Sequence, residues 1–229
     1  KKGYRNKIYT SIPTSELLGI AYDDSLSIFA ERIKEKSKGA KMIYNSGDVR
    51  KTLDLTKPMR YQKTINLAEN LTAILFENQH LVGASIVLVR SKVYDTQEVN
   101  ILFTGDYNNK NSFLENIELP EWVYKLKNLT IVTEATYGDT NSCDIKHVWA
   151  DNVTRACMDE KSILLLCFAQ GRFQEMLYQI KCLQEQGKIP SDYLILADGK
   201  SGIQYSFSYA QNKKLGISSE MKNFFPSKI

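Results

Sequence analysis

Three short segments in the middle of the chain carry residue types that can do chemistry. Asn78-Gln79-His80-Leu81-Val82-Gly83-Ala84-Ser85 sets an imidazole between two apolar runs, with Gly83 and Ala84 leaving room beside it. Ile101-Leu102-Phe103-Thr104-Gly105-Asp106 ends an apolar run in a carboxylate, and Thr130-Ile131-Val132-Thr133-Glu134 does the same. Imidazole and carboxylate are donors that suit Zn²⁺. Each segment also has an ordinary reading. A loop histidine is commonly a hydrogen-bonded structural residue, and Gly-Asp is common turn chemistry. It is the three in series that carry information.

Bulk composition limits what such a site could be. The chain has 229 residues and a net charge of +4, with 43% hydrophobic and 24% charged residues. These are ordinary globular values, which exclude wholesale disorder and collagen-like or fibrous structure. A mildly basic balance is compatible with nucleic acid without arguing for it. No apolar run approaches the roughly 20 residues of a spanning helix, so no membrane-spanning helix is expected. There are 2 histidines, His80 and His147, whereas a catalytic zinc site usually takes about three protein ligands, often histidine. The chain by itself is poorly stocked for one. Cys143, Cys157, Cys167 and Cys182 show no C-x-x-C spacing and read as small hydrophobes in a reducing, intracellular compartment.

The elements that must position these residues change character along the chain. Lys7 to Ser11 is a strand candidate, and Thr14 or Ser15 can cap a helix whose apolar positions run to Ile33, ending near Gly39. Lys34, Lys36, Lys38 and Lys41 gather at its C-terminal end, where cations complement the helix dipole. A second helix is expected from about Ser46 to Leu55, stopped before Pro58. Thr72–Phe76, Ala84–Arg90, Val99–Thr104 and Leu129–Thr133 are short β-rich runs bounded by turn residues, a sheet at least partly antiparallel because the links are short. Beyond Thr140 the pattern alternates. Helices are expected over 144–158, 172–186 and from about Ser201, with continuously apolar strands at Ser162–Phe168 and Tyr193–Ala197 that should be buried on both faces and pair in parallel. The change near residue 140 is the expected domain boundary.

The series of motifs resembles the metallo-β-lactamase-fold nucleases that carry the β-CASP insertion, the family of the cleavage-and-polyadenylation endonuclease and its prokaryotic relatives. His80-Leu-Val-Gly-Ala-Ser85 is similar to the family's H-I-L-G-S-A loop, Phe103-Thr-Gly-Asp106 to its F-S/T-G-D strand end, and Glu134-Ala-Thr-Tyr-Gly138 to E-S-T-Y-G. Gly171-Arg-Phe-Gln-Glu-Met-Leu177 resembles G-R-A-Q-E-L-L, Asp198-Gly-Lys-Ser-Gly-Ile203 a D-S-P-L-A-like turn into a helix, and Gly3-Tyr-Arg-Asn-Lys-Ile-Tyr-Thr10 the G-Y-x-G-x-I-Y-A strand. The resemblance implies an α/β fold, with part of an αββα metallo-β-lactamase sandwich over residues 1–140 and part of a parallel-sheet β-CASP domain over 141–229.

By the same resemblance, His80 is a zinc ligand, and Asp106 is a metal ligand that bridges two zinc ions. Glu134 is a catalytic acidic residue holding a histidine near the leaving group, which favours that histidine's protonated form. Arg172 and Tyr137 are substrate-binding candidates. Gly171-Arg172 opens a helix whose free N–H groups and guanidinium could meet a phosphate, and a structural salt bridge is an equal reading for Arg172. The implied activity is hydrolysis of phosphodiester bonds, most naturally in RNA, by a metal-activated water. The alternative is a catalytically silent scaffold subunit of an RNA-processing complex. A homo- or heterodimer is compatible with either, and the expected location is cytoplasmic, or nuclear for a eukaryotic RNA-processing subunit.

Departures from the family pattern bear on these expectations. The family's H-x-H-x-D-H motif and its later histidines are not in the sequence, so the chain is expected to be an interior portion that needs other segments of the same protein to complete its site. Asn78-Gln79 stands where the family often has Ala-Gly, which implies a looser His80 loop. His147 matches no family motif and reads as structural.

Overall fold

The computed structural model describes residues 3–35, 41–93, 97–108, 114, 118–136, 138–139, 145–215 and 217. The chain divides into two compact units, one of Lys1–Glu134 with Lys213–Gly216 and one of Ala135–Asn212 with Ile217–Ile229.

In the first unit, strand β1 (Ile8–Ser11) runs directly into helix α1 (Ile12–Glu35). Ser11 is both the last strand residue and the helix cap: its hydroxyl oxygen accepts the N–H of Thr14 at 3.2 Å, the usual capping bond. The cap therefore falls earlier than Thr14 or Ser15, because no loop intervenes and Pro13 in the first turn needs no N–H partner. The expected end near Gly39 lies outside the described residues, as do Lys36 and Lys38. Helix α2 (Ser46–Leu55) matches expectation. Asn45 accepts from the N–H groups of Gly47 and Asp48, while Asp48 accepts from the Asn45 N–H, closing a capping box.

Two strands escape the sequence pattern. Strand β2 (Thr56–Met59) pairs in parallel with β1, although it contains Pro58, which demotes a run by lacking an N–H. Strand β3 (Thr64–Ala68) buries only Ile65, too little alternation to read as a strand. The four expected runs all form strands: β4 (Leu71–Glu77), β5 (Ser85–Val93), β6 (Gln97–Phe103) and β7 (Leu129–Val132). With β3 they make one sheet in the order β3-β4-β5-β6-β7. It is antiparallel from β3 to β6, and β7 lies parallel to β6.

The core follows from the period of two along these strands. Ile74, Phe76, Leu88 and Leu102 form one cluster with Val123, which helix α3 (Glu121–Tyr124) delivers from the β6–β7 connection. Ile65, Ala73 and Leu75 cluster on the alternate positions, with Tyr9, Met59 and Tyr61 against them. β4 is thus buried on both faces, which fixes its register, since a slip of one residue would exchange the two clusters.

The second unit holds three helices, α4 (Ile145–Met158), α5 (Arg172–Glu185) and α6 (Lys200–Gln211), close to their expected bounds. The two strands expected here do not form ladders: residues 161–168 and 193–199 carry no strand assignment. Ile163 and Tyr193 pack against Val153, Cys157, Leu183 and Ile189, but Leu164, Leu166 and Phe168 are 82%, 89% and 85% exposed and Leu196 is 82% exposed. Only one face is covered within the unit, so the apolar composition outruns the burial these segments find here. Cys157 is buried in that cluster as a small hydrophobe, whereas Cys167 and Cys182 are only half-buried; Cys143 lies outside the described residues. Among the described residues, no helix is long and apolar enough to cross a membrane.

Leu88 is fully buried at the centre of the first cluster. Leu88→Ala should lower unfolding stability by about 2–5 kcal/mol, read as a shift of the urea midpoint. A midpoint within error of the parent's would contradict this core.

Candidate active site on the sheet end

Strand directions decide where the chemistry-bearing residues go. Glu77 at the end of β4 pairs with Ser85 at the start of β5, Val87 pairs with Phe103 near the end of β6, and Phe103 pairs with Val132 at the end of β7. His80 follows β4, Asp106 follows β6 and Glu134 follows β7. All three therefore leave the sheet at the same end, His80 and Asp106 from the strands on either side of β5 and Glu134 from the strand beside β6.

The His80 turn is held from two sides. On one side is Asn78, which is 4% exposed, so its carboxamide must find partners inside the protein or pay for desolvation. Its Nδ2 donates to the carbonyl oxygens of Thr104 at 3.0 Å and Asp106 at 2.9 Å, and its Oδ1 accepts the His80 N–H at 2.8 Å. The Asn78 N–H donates to the Ala84 carbonyl at 3.1 Å, closing the turn's base. Gly105, at φ +59°, gives the left-handed bend between the two carbonyls that Asn78 captures. Asn78 thus tightens the loop it was expected to loosen.

On the other side the Gly83 carbonyl accepts from Ser11 Oγ at 2.8 Å and Thr14 Oγ1 at 2.7 Å, tying the turn to the β1–α1 junction. Gly83 has φ +92°, and a Cβ there would lie 2.7 Å from Thr14 Oγ1 and 2.8 Å from the Thr14 backbone nitrogen. Only glycine fits. Beneath the turn, the Tyr61 hydroxyl donates to the Ala84 carbonyl at 3.3 Å. Burial pushes this phenol above its usual range, with Ser11 partly offsetting the rise through a hydrogen bond.

The third segment joins through the backbone, where the Thr104 N–H donates to the Val132 carbonyl at 3.0 Å. His80 and Asp106 are exposed and Glu134 is half-buried. Tyr137 lies outside the described residues, and for His147 the structure gives its place in α4 and no more.

Arg172 belongs to the second unit, at the start of α5. Its guanidinium pairs with the Glu175 carboxylate one turn on, which is the salt-bridge reading. The helix N-terminus is not the open donor set expected for a phosphate. The Gly171 N–H goes to Gln174 Oε1 at 2.7 Å, the Arg172 N–H to the Gln170 carbonyl at 3.1 Å, and the Phe173 N–H to the Phe168 carbonyl at 3.1 Å. Gln174, fully buried, also donates to the Ser206 hydroxyl at 3.1 Å, binding α5 to α6. The Gln of the Gly-Arg-Phe-Gln segment is thus a structural tie. The Asp198-Gly199 turn enters α6 as expected, the Gly199 N–H donating to Asp198 Oδ1 at 2.8 Å.

The donor kinds at the sheet end suit zinc, but the number does not by itself. His80 and Asp106 are two donors, and among the described residues no group of three or more His, Cys, Asp or Glu could hold a metal ion. Further ligands would have to come from elsewhere.

No family model matches the chain. Among curated proteins, the transcription termination factor FttA of Methanosarcina mazei is 28% identical over 198 residues, covering 83% of this chain and 29% of its own length. The Integrator complex subunit 11 homolog of Dictyostelium discoideum is 26% identical over 234 residues, covering 99% of this chain and 30% of its own. The RNase aCSPSF2 of Saccharolobus solfataricus is 29% identical over 146 residues, covering 62% and 28%. At modest identity over most of the chain, these similarities agree with the resemblance carried by its motif series. It spans about 30% of the length of the first two of these relatives.

Gly83→Ala should destabilise the first unit by at least about 2 kcal/mol, since left-handed strain of order 1–3 kcal/mol adds to overlap with the Thr14 backbone. Chemical denaturation reads this directly; an unchanged midpoint would mean the turn is not anchored as described.

Proposed function

We propose that the chain is a portion of a metal-dependent hydrolase that cleaves phosphodiester bonds in RNA. The observation that carries this reading is the convergence of His80, Asp106 and Glu134 at one end of one sheet, with the His80 turn and the Asp106 strand end joined through Asn78. The relatives' names add support, since one is an RNase and another a transcription termination factor. A catalytically silent scaffold has no chemical reason to keep all three side chains together.

On this reading His80 would offer an imidazole nitrogen and Asp106 a carboxylate as zinc ligands, with the remaining ligands supplied by other segments of the complete protein. Paired zinc, when bound, supplies a bound water of lowered pKa and stabilises charge on the phosphate being displaced. Glu134 accepts a hydrogen bond from a histidine of another segment, holding it oriented and protonated as the acid for the leaving oxygen. Arg172 contributes to phosphate binding only by releasing Glu175, and Tyr137 is a second substrate-contact candidate by resemblance.

Two measurements test the reading. In the complete protein, Asp106→Ala should abolish RNA cleavage while leaving the circular dichroism spectrum and melting curve unchanged; wild-type-like turnover would sink the assignment. The 229-residue chain by itself should bind zinc weakly and leave RNA intact, because two donors do not make a zinc site. Stoichiometric tight zinc with metal-dependent cleavage by this piece would overturn that.

A further inference from the structure

Asn78 joins two loops at the sheet end through its side chain. Its three partners are backbone groups from two loops, with Thr104 and Asp106 lying 26 and 28 residues away along the chain. A carbonyl can only accept and an amide N–H can only donate, so these partners fix which way the carboxamide faces. No rotation about the terminal bond satisfies all three otherwise. Residues on either side of the clamp are the two candidate ligands themselves, His80 through its own N–H and Asp106 through its own carbonyl.

We propose that Asn78 is a positioning residue that sets the spacing of His80 and Asp106 before any metal arrives. The proposal rests on the reading of those two residues as metal ligands and goes beyond it by naming what holds them. Without the clamp the His80 turn would keep its tie through Gly83, and the Asp106 strand end would keep the Thr104–Val132 bond. What would be lost is the link that Asn78 makes between them. Each loop would then sample its own positions, and a metal would have to pay the entropy of bringing two donors into register. Groups that orient metal ligands in this indirect way typically change metal affinity by about 10–100-fold when removed. Size alone does not explain the choice, because aspartate has the same shape but lacks the Nδ2 donors.

The test uses the 229-residue chain labelled with ¹⁵N, in the parent and in Asn78→Ala and Asn78→Asp. Backbone order parameters are measured without metal, and Co²⁺ is then titrated in while the His80 and Asp106 amide shifts are followed. In both variants the order parameters at residues 104–106 should fall from the rigid range of about 0.85 toward 0.6 or below, with urea midpoints showing that the sheet remains folded. The Co²⁺ concentration needed to shift both amides should rise at least about tenfold. His80→Ala and Asp106→Ala serve as reference variants and should abolish the Co²⁺-dependent shifts. If residues 104–106 stay ordered in both Asn78 variants, or if Asn78→Asp behaves as the parent, the clamp proposal is wrong. If the parent shows a Co²⁺ effect at these amides that the two reference variants leave unchanged, the ligand reading itself fails, whatever Asn78 does; the metal-free order parameters decide the clamp in every case.

Discussion

The register of β4 in its sheet is the constraint on which the rest of the first unit depends. β4 buries Ile74 and Phe76 in one cluster and Ala73 and Leu75 in another, so no neighbouring register leaves either cluster intact. Pairing with β5, and through it with β6 and β7, then fixes which end of the sheet each connection leaves from. The three chemistry-bearing residues come together because hydrophobic burial has already settled the ladder. Polar bonds refine that placement: Asn78 draws the His80 and Asp106 loops together, and Gly83 seats the turn on the β1–α1 junction.

Much of this was legible in the sequence, and the failures have identifiable causes. The four strands carrying the site announced themselves by β-branched runs between turn residues, and α2 by its stop before Pro58. Strands β2 and β3 did not, since Pro58 and a single buried Ile65 leave almost no alternation to read. The helix cap lies earlier than the pattern suggests because Ser11 serves two elements at once, which a pattern that treats strand and helix separately does not anticipate. His80, Asp106 and Glu134 stood out by residue type and position. Asn78 acts with the opposite sign to the one its replacement of alanine suggests. A buried asparagine can loosen a turn or lock it, and only the positions of its three partners decide which. Ser11, Thr14 and Tyr61 gave no comparable signal, being ordinary residues whose role depends on a turn about 20 to 70 residues away.

The second unit shows the converse case. Ser162–Phe168 and Tyr193–Ala197 have the composition of strands buried on both faces, yet here each covers only one face, and Leu164, Leu166, Phe168 and Leu196 are exposed. Composition records the environment a sequence is built for, and the described residues supply part of it. Gln174 ties the first turn of α5 to α6, so the segment that resembles a phosphate-binding helix start is accounted for by packing within the unit, with Arg172 paired to Glu175.

The central claim is that the sheet end formed by His80 and Asp106 is half of a zinc site. Anomalous diffraction at the zinc absorption edge, from crystals of the complete protein grown with zinc, tests this most directly. The account predicts a zinc peak about 2.0–2.2 Å from a ring nitrogen of His80 and an oxygen of Asp106. A zinc-bound crystal whose peaks lie away from both side chains would contradict it.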